Sequence, residues 1–327
     1  MIGNAERIRL GLIGAGNLAR TRAKCAAGTP NAELAAVASR TREKAQRFAD
    51  EHGIRAVFAD HRELIASDVD AVIVATPNDT HYPIVMDALR GGKDVLVEYP
   101  MVLHAEQAAE IVRLTEERKA IVEVGFDTRF DPLDRELREF VSSGRIGEPV
   151  WCSAQLLYPV PCDPAKWYSN PKATRGMIVS WLVERFDLLR RVCGEVESVF
   201  AVEAPDAYGG KKFFEQRICI VNLRFQSGAV GAASLCCLAP RGLSGSVVQV
   251  IGREGGLWSD GRALRVFSRA GEESIRAESG VDSFAEETAH FVRCVRERTP
   301  VENPPAESLK ALQVAEAALA SLRDGKM

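Results

Sequence analysis

The stretch IRLGLIGAGNLA, residues 8–19, decides the fold. Its first half is apolar and rich in β-forming residues, and its second half contains the pattern GxGxxA. In this pattern the first glycine permits a tight turn, the second lets the backbone approach a pyrophosphate, and the small third residue lets the helix pack on the strand. Because the pattern follows a strand and opens a helix, it predicts a dinucleotide-binding βαβ unit, the alternative being a glycine-rich turn without a ligand. The predicted phosphate-binding residues are Gly14, Gly16, Asn17, Leu18 and Ala19.

Strand-like and helical segments alternate through the first 125 residues. Near-continuous apolar strands that alternate with helices are typical of a parallel sheet covered on both faces. The pattern predicts an α/β domain, residues 1–125, with a Rossmann doubly wound sheet. Strands are predicted at 8–13, 33–39, 56–58, 70–75, 94–97 and 122–125, with helices at 19–27, 42–52, 81–91 and 105–119.

From residue 126 the strands become longer and alternate in polarity. Alternation with glycine-containing turns is typical of antiparallel sheets with one solvated face. We therefore predict a second, α+β domain, residues 126–327, with an open, mostly antiparallel sheet. Its strands are predicted at 150–157, 196–203, 217–225, 229–237 and 246–251, with a glycine-rich turn at 208–212 and helices at 131–142, 176–193, 282–298 and 306–323.

Composition narrows the functional class. The net charge of -3 and the absence of any block of like charges indicate no nucleic-acid or membrane surface. No apolar run has the length of a membrane helix, and the start of the chain lacks signal-peptide features, so a cytoplasmic location is expected. Eight cysteines without a CxxC pair predict reduced thiols, and the five histidines lack metal-ligand spacing, so no metal site is expected.

The end of the second predicted strand bears on the choice of dinucleotide. NAD sites usually place an acidic residue there to accept from the ribose 2′-hydroxyl. This chain has Ser39-Arg40-Thr41-Arg42 instead. Because guanidinium groups pair with phosphate through two hydrogen bonds, the sequence favours NADP(H), with its 2′-phosphate, over NAD(H). The alternative is that Arg40 and Arg42 are solvated residues at a helix start.

Three further segments carry a resemblance to a known family. They are AVIVATPNDTHY (71–82), DVLVEYP (94–100) and VGFDTRFDP (124–132). Together with the GxGxxA pattern, and in this order, they resemble the GFO/IDH/MocA family of dinucleotide-dependent oxidoreductases. The resemblance implies a nucleotide-binding domain and an open-sheet domain, with the nicotinamide between them. It also implies a small-molecule substrate and a homodimer or homotetramer formed through the C-terminal sheet.

The same resemblance implies residues around the cofactor. The loop after the fourth strand, with Thr76, Pro77, Asn78 and His81, would line it. Glu98 would contact the nicotinamide ribose or amide. For His81 the alternative is a helix-start residue satisfied by its neighbours.

The sequence departs from this family at the catalytic positions. Most relatives have Glu-Lys-Pro where this chain has Glu98-Tyr99-Pro100, and the lysine binds substrate and helps move the hydroxyl proton. Relatives acting on sugars and cyclitols also carry an aspartate, a glycine and a catalytic histidine on the first long helix of the second domain. Aligned without gaps, those positions are Ser180, Leu182 and Glu184 here, and only Asp187 further along matches.

These replacements change the expected chemistry. Taking a proton from an alcohol needs a base with a pKa near neutrality. A phenol with a pKa of about 10 is a poor base at pH 7 but can donate a hydrogen bond or a proton. Tyr99 therefore fits reduction better than oxidation. Glu184 is either a carboxylic acid with a raised pKa or an ion-pair partner of Arg185 or Arg175. The predicted catalytic residues are Tyr99, Glu98 and Glu184.

The segment LVEYPM (96–101) is also similar to biliverdin reductases of the same superfamily, which lack the lysine and histidine. Their bacterial forms have a loop similar to 164–168 here. A flat substrate of this kind would fit an aromatic wall, and arginine side chains would hold its carboxylate. The alternatives are that Trp181 and Phe186 face a helix core and that the loop aromatics only pack locally. The candidate substrate-binding residues are Arg129, Trp167, Tyr168 and Arg175, and the candidate wall adds Trp181 and Phe186.

Three functional hypotheses follow. The favoured one is an NADP(H)-dependent reductase of a conjugated C=C or C=N bond, with biliverdin as the named candidate. The second is a sugar or cyclitol dehydrogenase with an altered proton relay. The third is a non-catalytic NADP-binding sensor or partner protein, against which the retained Glu98 and Asn78 argue.

Overall fold

A computed structural model describes residues 7–160, 163, 165–204, 215–269, 271–276 and 281–325. The chain divides into two compact units: unit 1 comprises Met1–Phe130 and Asp282–Leu309, and unit 2 comprises Asp131–Val281 and Lys310–Met327. The turn predicted at 208–212, Cys162 and Pro164 lie outside the described residues.

Unit 1 contains a six-stranded sheet in the order β3-β2-β1-β4-β5-β6, with every neighbouring pair parallel. The predicted Rossmann sheet is therefore confirmed. The connection from β3 to β4 carries the chain from one side of β1 to the other, and ligands bind at such a switch point, beyond the carboxyl ends of the strands. The strands are β1 (Ile8–Ile13), β2 (Ala32–Ala38), β3 (Ala56–Phe58), β4 (Ala71–Val74), β5 (Asp94–Glu98) and β6 (Val122–Gly125).

The helices of unit 1 pack on this sheet through small and apolar side chains. The first helix presents Ala19, Ala23 and Ala26 to the core, which lets it lie close to β1. The helices are α1 (Asn17–Gly28), α2 (Arg42–His52), α3 (His61–Ile65), α4 (His81–Arg90), α5 (Ala105–Arg118) and α9 (Ser283–Glu297).

The position of α9 corrects the predicted domain boundaries. The change in strand pattern predicts that everything from residue 126 onward belongs to the second domain. The structure places Phe291, Val292 and Val295 of α9 in the same buried cluster as Leu10 and Leu12 of β1. An amphipathic helix shows which face it buries but not which sheet covers it, so the return of the chain to unit 1 has no local signature.

Unit 2 contains an eight-stranded sheet in the order β14-β13-β12-β11-β7-β10-β9-β8. Only the β7–β10 pair is parallel, which confirms a mostly antiparallel sheet. The strands are β7 (Pro149–Leu157), β8 (Val196–Glu203), β9 (Ile218–Phe225), β10 (Val230–Cys236), β11 (Gly245–Gly252), β12 (Gly255–Ser259), β13 (Ala263–Ser268) and β14 (Gly271–Arg276). The last three were not predicted, and β14 is short and almost wholly exposed.

One face of this sheet is buried and the other is partly exposed. On β11, Val248 and Val250 are buried, whereas Ile251 is 49% exposed. The exposed side, called the open face below, carries Trp151, Gln249, Ile251, Trp258, Arg265 and Phe267 around a shallow cavity of about 310 Å³. The helices of unit 2 are α6 (Pro132–Ser142), α7 (Pro171–Thr174) and α8 (Val183–Cys193), with α10 (Pro305–Asp324) following at the end of the chain.

The described residues bear on three of the sequence predictions, which concern membrane helices, metal sites and cysteines. No helix there is long and apolar enough to cross a membrane. Within the described ranges, no three or more His, Cys, Asp or Glu side chains are arranged so that they could hold a metal ion. The seven cysteines in those ranges are free thiols.

Candidate active site

The predicted phosphate loop lies at the carboxyl end of β1. Gly14 has φ +124°, and a Cβ atom there would lie 2.1 Å from the carbonyl oxygen of Ala75, so only glycine fits. Ala19 is fully buried, whereas Asn17 and Leu18 are exposed. The sequence motif therefore has the backbone that its pattern predicts.

Gly16 plays a different part from Gly14. It is the N-cap of α1, in extended conformation, and a Cβ atom there would meet no described atom within 4 Å. The protein itself thus does not require glycine at this position. The first turn of α1 also has no acidic residue and no side-chain cap, so its N–H groups are left for an anion. These features fit a pyrophosphate that approaches the backbone at Gly16.

We expect Gly16→Ala to raise the dinucleotide Kd about tenfold or more, the equivalent of one lost charge-assisted hydrogen bond, without lowering Tm. Titration of protein fluorescence with the dinucleotide gives the Kd. The matched control is Gly28→Ala at the other end of α1, where a Cβ atom also meets nothing within 4 Å. Equal Kd values for both variants and wild type would place the pyrophosphate elsewhere.

The Ser39–Arg42 segment follows β2. Ser39 is half-buried, and its backbone N–H donates to Phe58 O at 3.2 Å. Arg40, Thr41 and Arg42 are exposed. Neither arginine side chain forms an ion pair or hydrogen bond with any residue that the structure describes, so both guanidinium groups are available to an anion.

The loop after β4 is held by its own side chains. The Thr80 hydroxyl donates to the Pro77 carbonyl at 2.6 Å and lies 2.8 Å from the Thr76 hydroxyl. Thr76 and Pro77 are half-buried, and Asn78 is 6% exposed. Because β4 neighbours β1 in the sheet, this loop and the phosphate loop end at the same edge.

His81 requires a correction to its predicted role. It is completely buried, with Nδ1 2.9 Å from Pro100 O and Nε2 2.9 Å from Thr76 O. Burial lowers the pKa of this imidazole, and a neutral ring donates to one carbonyl at a time. His81 joins the loop after β4 to the loop after β5 and has no exposed atom with which to line a cofactor. The helix-start alternative describes it better.

Glu98 and Tyr99 lie where β5 ends. All of β5 is buried, and Glu98, its last residue, is 2% exposed. Tyr99 is half-buried, and its ring packs edge-on against Phe126 with 5.6 Å between ring centroids. Glu98 is therefore fixed within the sheet, while Tyr99 reaches the surface at its carboxyl edge.

Sequence analysis missed the buried charges beneath Glu98. The Arg22 guanidinium donates from Nε to Glu98 Oε1 at 2.5 Å and from Nη2 to Glu287 Oε2 at 2.5 Å. Nη1 of Arg22 lies 3.2 Å from the Thr288 hydroxyl. We call Arg22, Glu98, Glu123 and Glu287 the Arg22 cluster; all four are almost fully buried. The available signal was the position of Arg22 three residues after Ala19, on the buried face of α1.

Unit 2 contains two of the candidate residues, Ser180 and Glu184. The predicted helix 176–193 is a π-helical turn, Ile178–Leu182, followed by α8, and such turns are frequent at functional sites. The Ser180 hydroxyl donates to the Thr174 carbonyl at 2.7 Å. Glu184 is 4% exposed, with Oε2 3.7 Å from Nη2 of Arg185. The geometry of Glu184 matches the ion-pair alternative, and its catalytic role stays a prediction.

The two arginines predicted to hold a substrate carboxylate are engaged within the protein. In unit 1, Arg129 is 4% exposed and donates to the Glu302 carbonyl at 2.5 Å. In unit 2, Arg175 forms an ion pair with Glu316. Both arginines therefore have partners within the protein that the sequence could not show, and their roles in substrate binding stay predictions.

The predicted aromatic wall separates into two pairs and a core residue. Trp167 is 42% exposed and packs edge-on against Tyr168, with ring centroids 6.1 Å apart. Trp181 is half-buried and packs similarly on Tyr158 at 5.7 Å. Phe186 is fully buried, as its core alternative stated, so it cannot form part of a pocket wall.

Models of known protein families match parts of both units. Residues 8–126 match the oxidoreductase family model with an NAD-binding Rossmann fold, and residues 135–258 match the GFO/IDH/MocA C-terminal domain. The chain belongs to the GFO/IDH/MocA family. This GFO/IDH/MocA protein is therefore an oxidoreductase that binds a nicotinamide dinucleotide through its Rossmann domain.

Individual relatives of this GFO/IDH/MocA protein match it along almost its whole length. Inositol 2-dehydrogenase of Rhizobium meliloti is 27% identical, with 97% of each chain covered. The scyllo-inositol 2-dehydrogenase (NAD(+)) of Bacillus subtilis is 26% identical, covering 98% of this chain and 95% of the relative. The crystal structure of a probable dehydrogenase from Thermotoga maritima superposes with a TM-score of 0.85, at 26% identity and 98% coverage of both chains.

Proposed function

We propose that the protein is a nicotinamide-dependent dehydrogenase that interconverts a hydroxyl and a carbonyl on a cyclitol or sugar. The observation that carries this proposal is the similarity to inositol dehydrogenases across both units. Similarity confined to the Rossmann unit would support only dinucleotide binding. This weighs against the conjugated-bond reductase favoured from sequence, and towards the dehydrogenase with an altered proton relay.

The chain's own residues have distinct parts in this proposal. A bound nicotinamide dinucleotide would supply or accept the hydride. The backbone at Gly16 and the N-terminus of α1 bind its pyrophosphate, and Glu98 accepts a hydrogen bond from its nicotinamide end. The Tyr99 phenol donates a proton or hydrogen bond to the substrate oxygen in the direction of reduction.

A panel experiment tests the reaction class. Purified protein is mixed with NADH or NADPH and ketoses or inosose compounds, and with the oxidised cofactors and cyclitols or sugars, while nicotinamide absorbance is followed. Turnover on this panel supports the dehydrogenase. Dinucleotide binding without turnover on any substrate would support the non-catalytic alternative.

The second candidate remains a reductase of a conjugated bond, of the biliverdin type. The observation in its favour is Tyr99, a phenol at the position where the family resemblance implies lysine. Biliverdin belongs in the same panel with NADPH, followed by its own absorbance. Bilin reduction together with inactivity on cyclitols and sugars would replace the dehydrogenase by this function.

We propose NADP(H) as the preferred dinucleotide. The support is the pair of exposed guanidinium groups of Arg40 and Arg42 after β2, where an acidic residue would favour NAD. One relative carries NAD(+) in its name, so this preference is a point at which the present chain would differ from it.

We expect Arg40→Ala to raise the Kd of NADP about 10- to 100-fold, the loss of one or two charge-assisted hydrogen bonds, while that of NAD changes little. Isothermal titration of both dinucleotides measures this. Arg47→Ala is the matched control, since it removes an exposed arginine from α2, the helix that follows Arg40. Unchanged NADP affinity in Arg40→Ala would contradict the preference.

We also propose that a second copy of the chain covers the open face. This face exposes Ile251 by 49% and Phe267 by 38%, beside two half-buried tryptophans. Burial of such apolar area is the main driving force of homodimer association. Light scattering should show a homodimer or homotetramer for wild type and a smaller species for Ile251→Glu. A monomeric wild type would contradict the proposal.

A further inference from the structure

The Arg22 cluster lies directly beneath the end of β5. Arg22 donates to Glu98 and to Glu287 through different nitrogen atoms, so one guanidinium group joins a strand of the sheet to α9. The guanidinium group also stacks on the Phe284 ring, with Cζ of Arg22 4.7 Å from the ring centroid. A planar guanidinium group held at three sides has little freedom to reorient.

Gly125 shows how closely this ion pair is enclosed. A Cβ atom at Gly125 would lie 2.9 Å from Nη2 of Arg22 and 3.2 Å from Oε2 of Glu98. The β6 backbone therefore closes over the pair, and even a methyl group would displace it. Oε1 of Glu98 is used by Arg22, whereas Oε2 accepts no hydrogen bond from the residues described.

The Arg22 cluster contains more carboxyl groups than guanidinium groups. Three carboxyl groups and one guanidinium group would carry excess negative charge in a buried site, which is costly. Burial raises the pKa of Glu123 well above its ordinary value and that of Glu287 to about 8. Both shifts favour the protonated forms of Glu123 and Glu287, which reduces the excess negative charge around Arg22.

We propose that Arg22, braced by Glu287, is a positioning residue that fixes the Glu98 carboxylate so that its second oxygen binds the nicotinamide end of the dinucleotide. This inference rests on the proposed function. Arg22 touches no ligand in this scheme and acts only through Glu98.

A double-mutant cycle on dinucleotide affinity tests the inference. Arg22→Lys keeps the positive charge but loses the planar group that reaches Glu98 and Glu287 at once. We expect this variant to raise the NADPH Kd about tenfold, the equivalent of one charged hydrogen bond. Glu98→Gln should raise it similarly. If Arg22 acts through Glu98, the double variant should bind no more weakly than Glu98→Gln alone, because the two residues form one unit. Binding is followed by NADPH fluorescence, independently of substrate.

The controls separate positioning from folding. Arg298→Lys weakens another ion pair of unit 1, with Asp94, and should leave the Kd unchanged. Glu287→Met keeps the length of the side chain but removes the oxygen that accepts from Nη2 of Arg22, and it should raise the Kd about threefold, which retains a readout if Arg22→Lys does not fold. Additive effects in the cycle, or wild-type Kd values in Arg22→Lys or Glu287→Met, would overturn the positioning role. Absence of dinucleotide binding by the wild type would instead overturn the proposed function.

Discussion

Tyr99→Phe should lower kcat by about 10- to 10⁴-fold, the usual contribution of a positioned proton donor. The substitution removes only the hydroxyl group, because phenylalanine keeps the ring that packs against Phe126. Tm and the dinucleotide Kd should therefore change little. Steady-state kinetics on the best substrate of the panel, in the direction of reduction, give the measurement.

The control for this substitution is Tyr82→Phe on α4. It also removes a hydroxyl, one that donates to Glu110 at 2.7 Å, and should leave kcat unchanged. A Tyr99→Phe enzyme with wild-type kcat would remove the phenol from the mechanism and leave Glu184 as the remaining predicted proton donor. A loss confined to KM would make Tyr99 a binding group.

The stability of unit 1 should fall as the pH rises from about 5 to 8. Burial raises the pKa of Glu287 to about 8 from its ordinary 4.5, and raises that of Glu123 as well. Both groups bind protons more tightly in the folded chain, so unfolding releases protons and the free energy of unfolding decreases through this pH window. For a carboxyl shifted this far the loss reaches up to about 5 kcal/mol.

Glu123→Gln should reduce this pH dependence, because the amide stays neutral at every pH. Glu123 is the informative position, since burial raises its pKa despite a hydrogen bond from the Asn303 backbone N–H, and its nearest histidine nitrogen, Nε2 of His290, is 3.8 Å away. Denaturant unfolding between pH 5 and 8 measures the slope. Glu116→Gln, an exposed carboxylate on α5, is the control. Identical slopes for wild type and Glu123→Gln would show that Glu123 does not titrate in this window.

Local patterns in the sequence account for the parallel sheet and the phosphate loop. Strand periodicity and the glycine positions act over a few residues, so both could be predicted correctly. The strands β12 to β14 were missed for local reasons. β12 begins with two glycines, which are uncommon in strands, and β14, at the edge of the sheet, is polar and exposed and shows little alternation.

The contacts of the candidate-site residues could not be predicted from sequence, for another reason. His81, Arg129 and Arg175 looked available in sequence, but each is engaged by a group distant in the chain: Pro100, Glu302 and Glu316, respectively. Arg22 was overlooked for the same reason, because its partners are 76 and 265 residues away. A charged residue reads as exposed until its buried partner is known.

The return of α9 to unit 1 has a consequence for biosynthesis. Phe291, Val292 and Val295 complete the hydrophobic core that begins with Leu10, so the ribosome must make nearly the whole chain before the Rossmann core can close. At about 5–20 residues per second, the N-terminal segment waits on the order of 15 to 60 seconds for its last helix. The nucleotide-binding half, although translated first, is thus completed late, and its apolar surface is a natural client for chaperones during that interval.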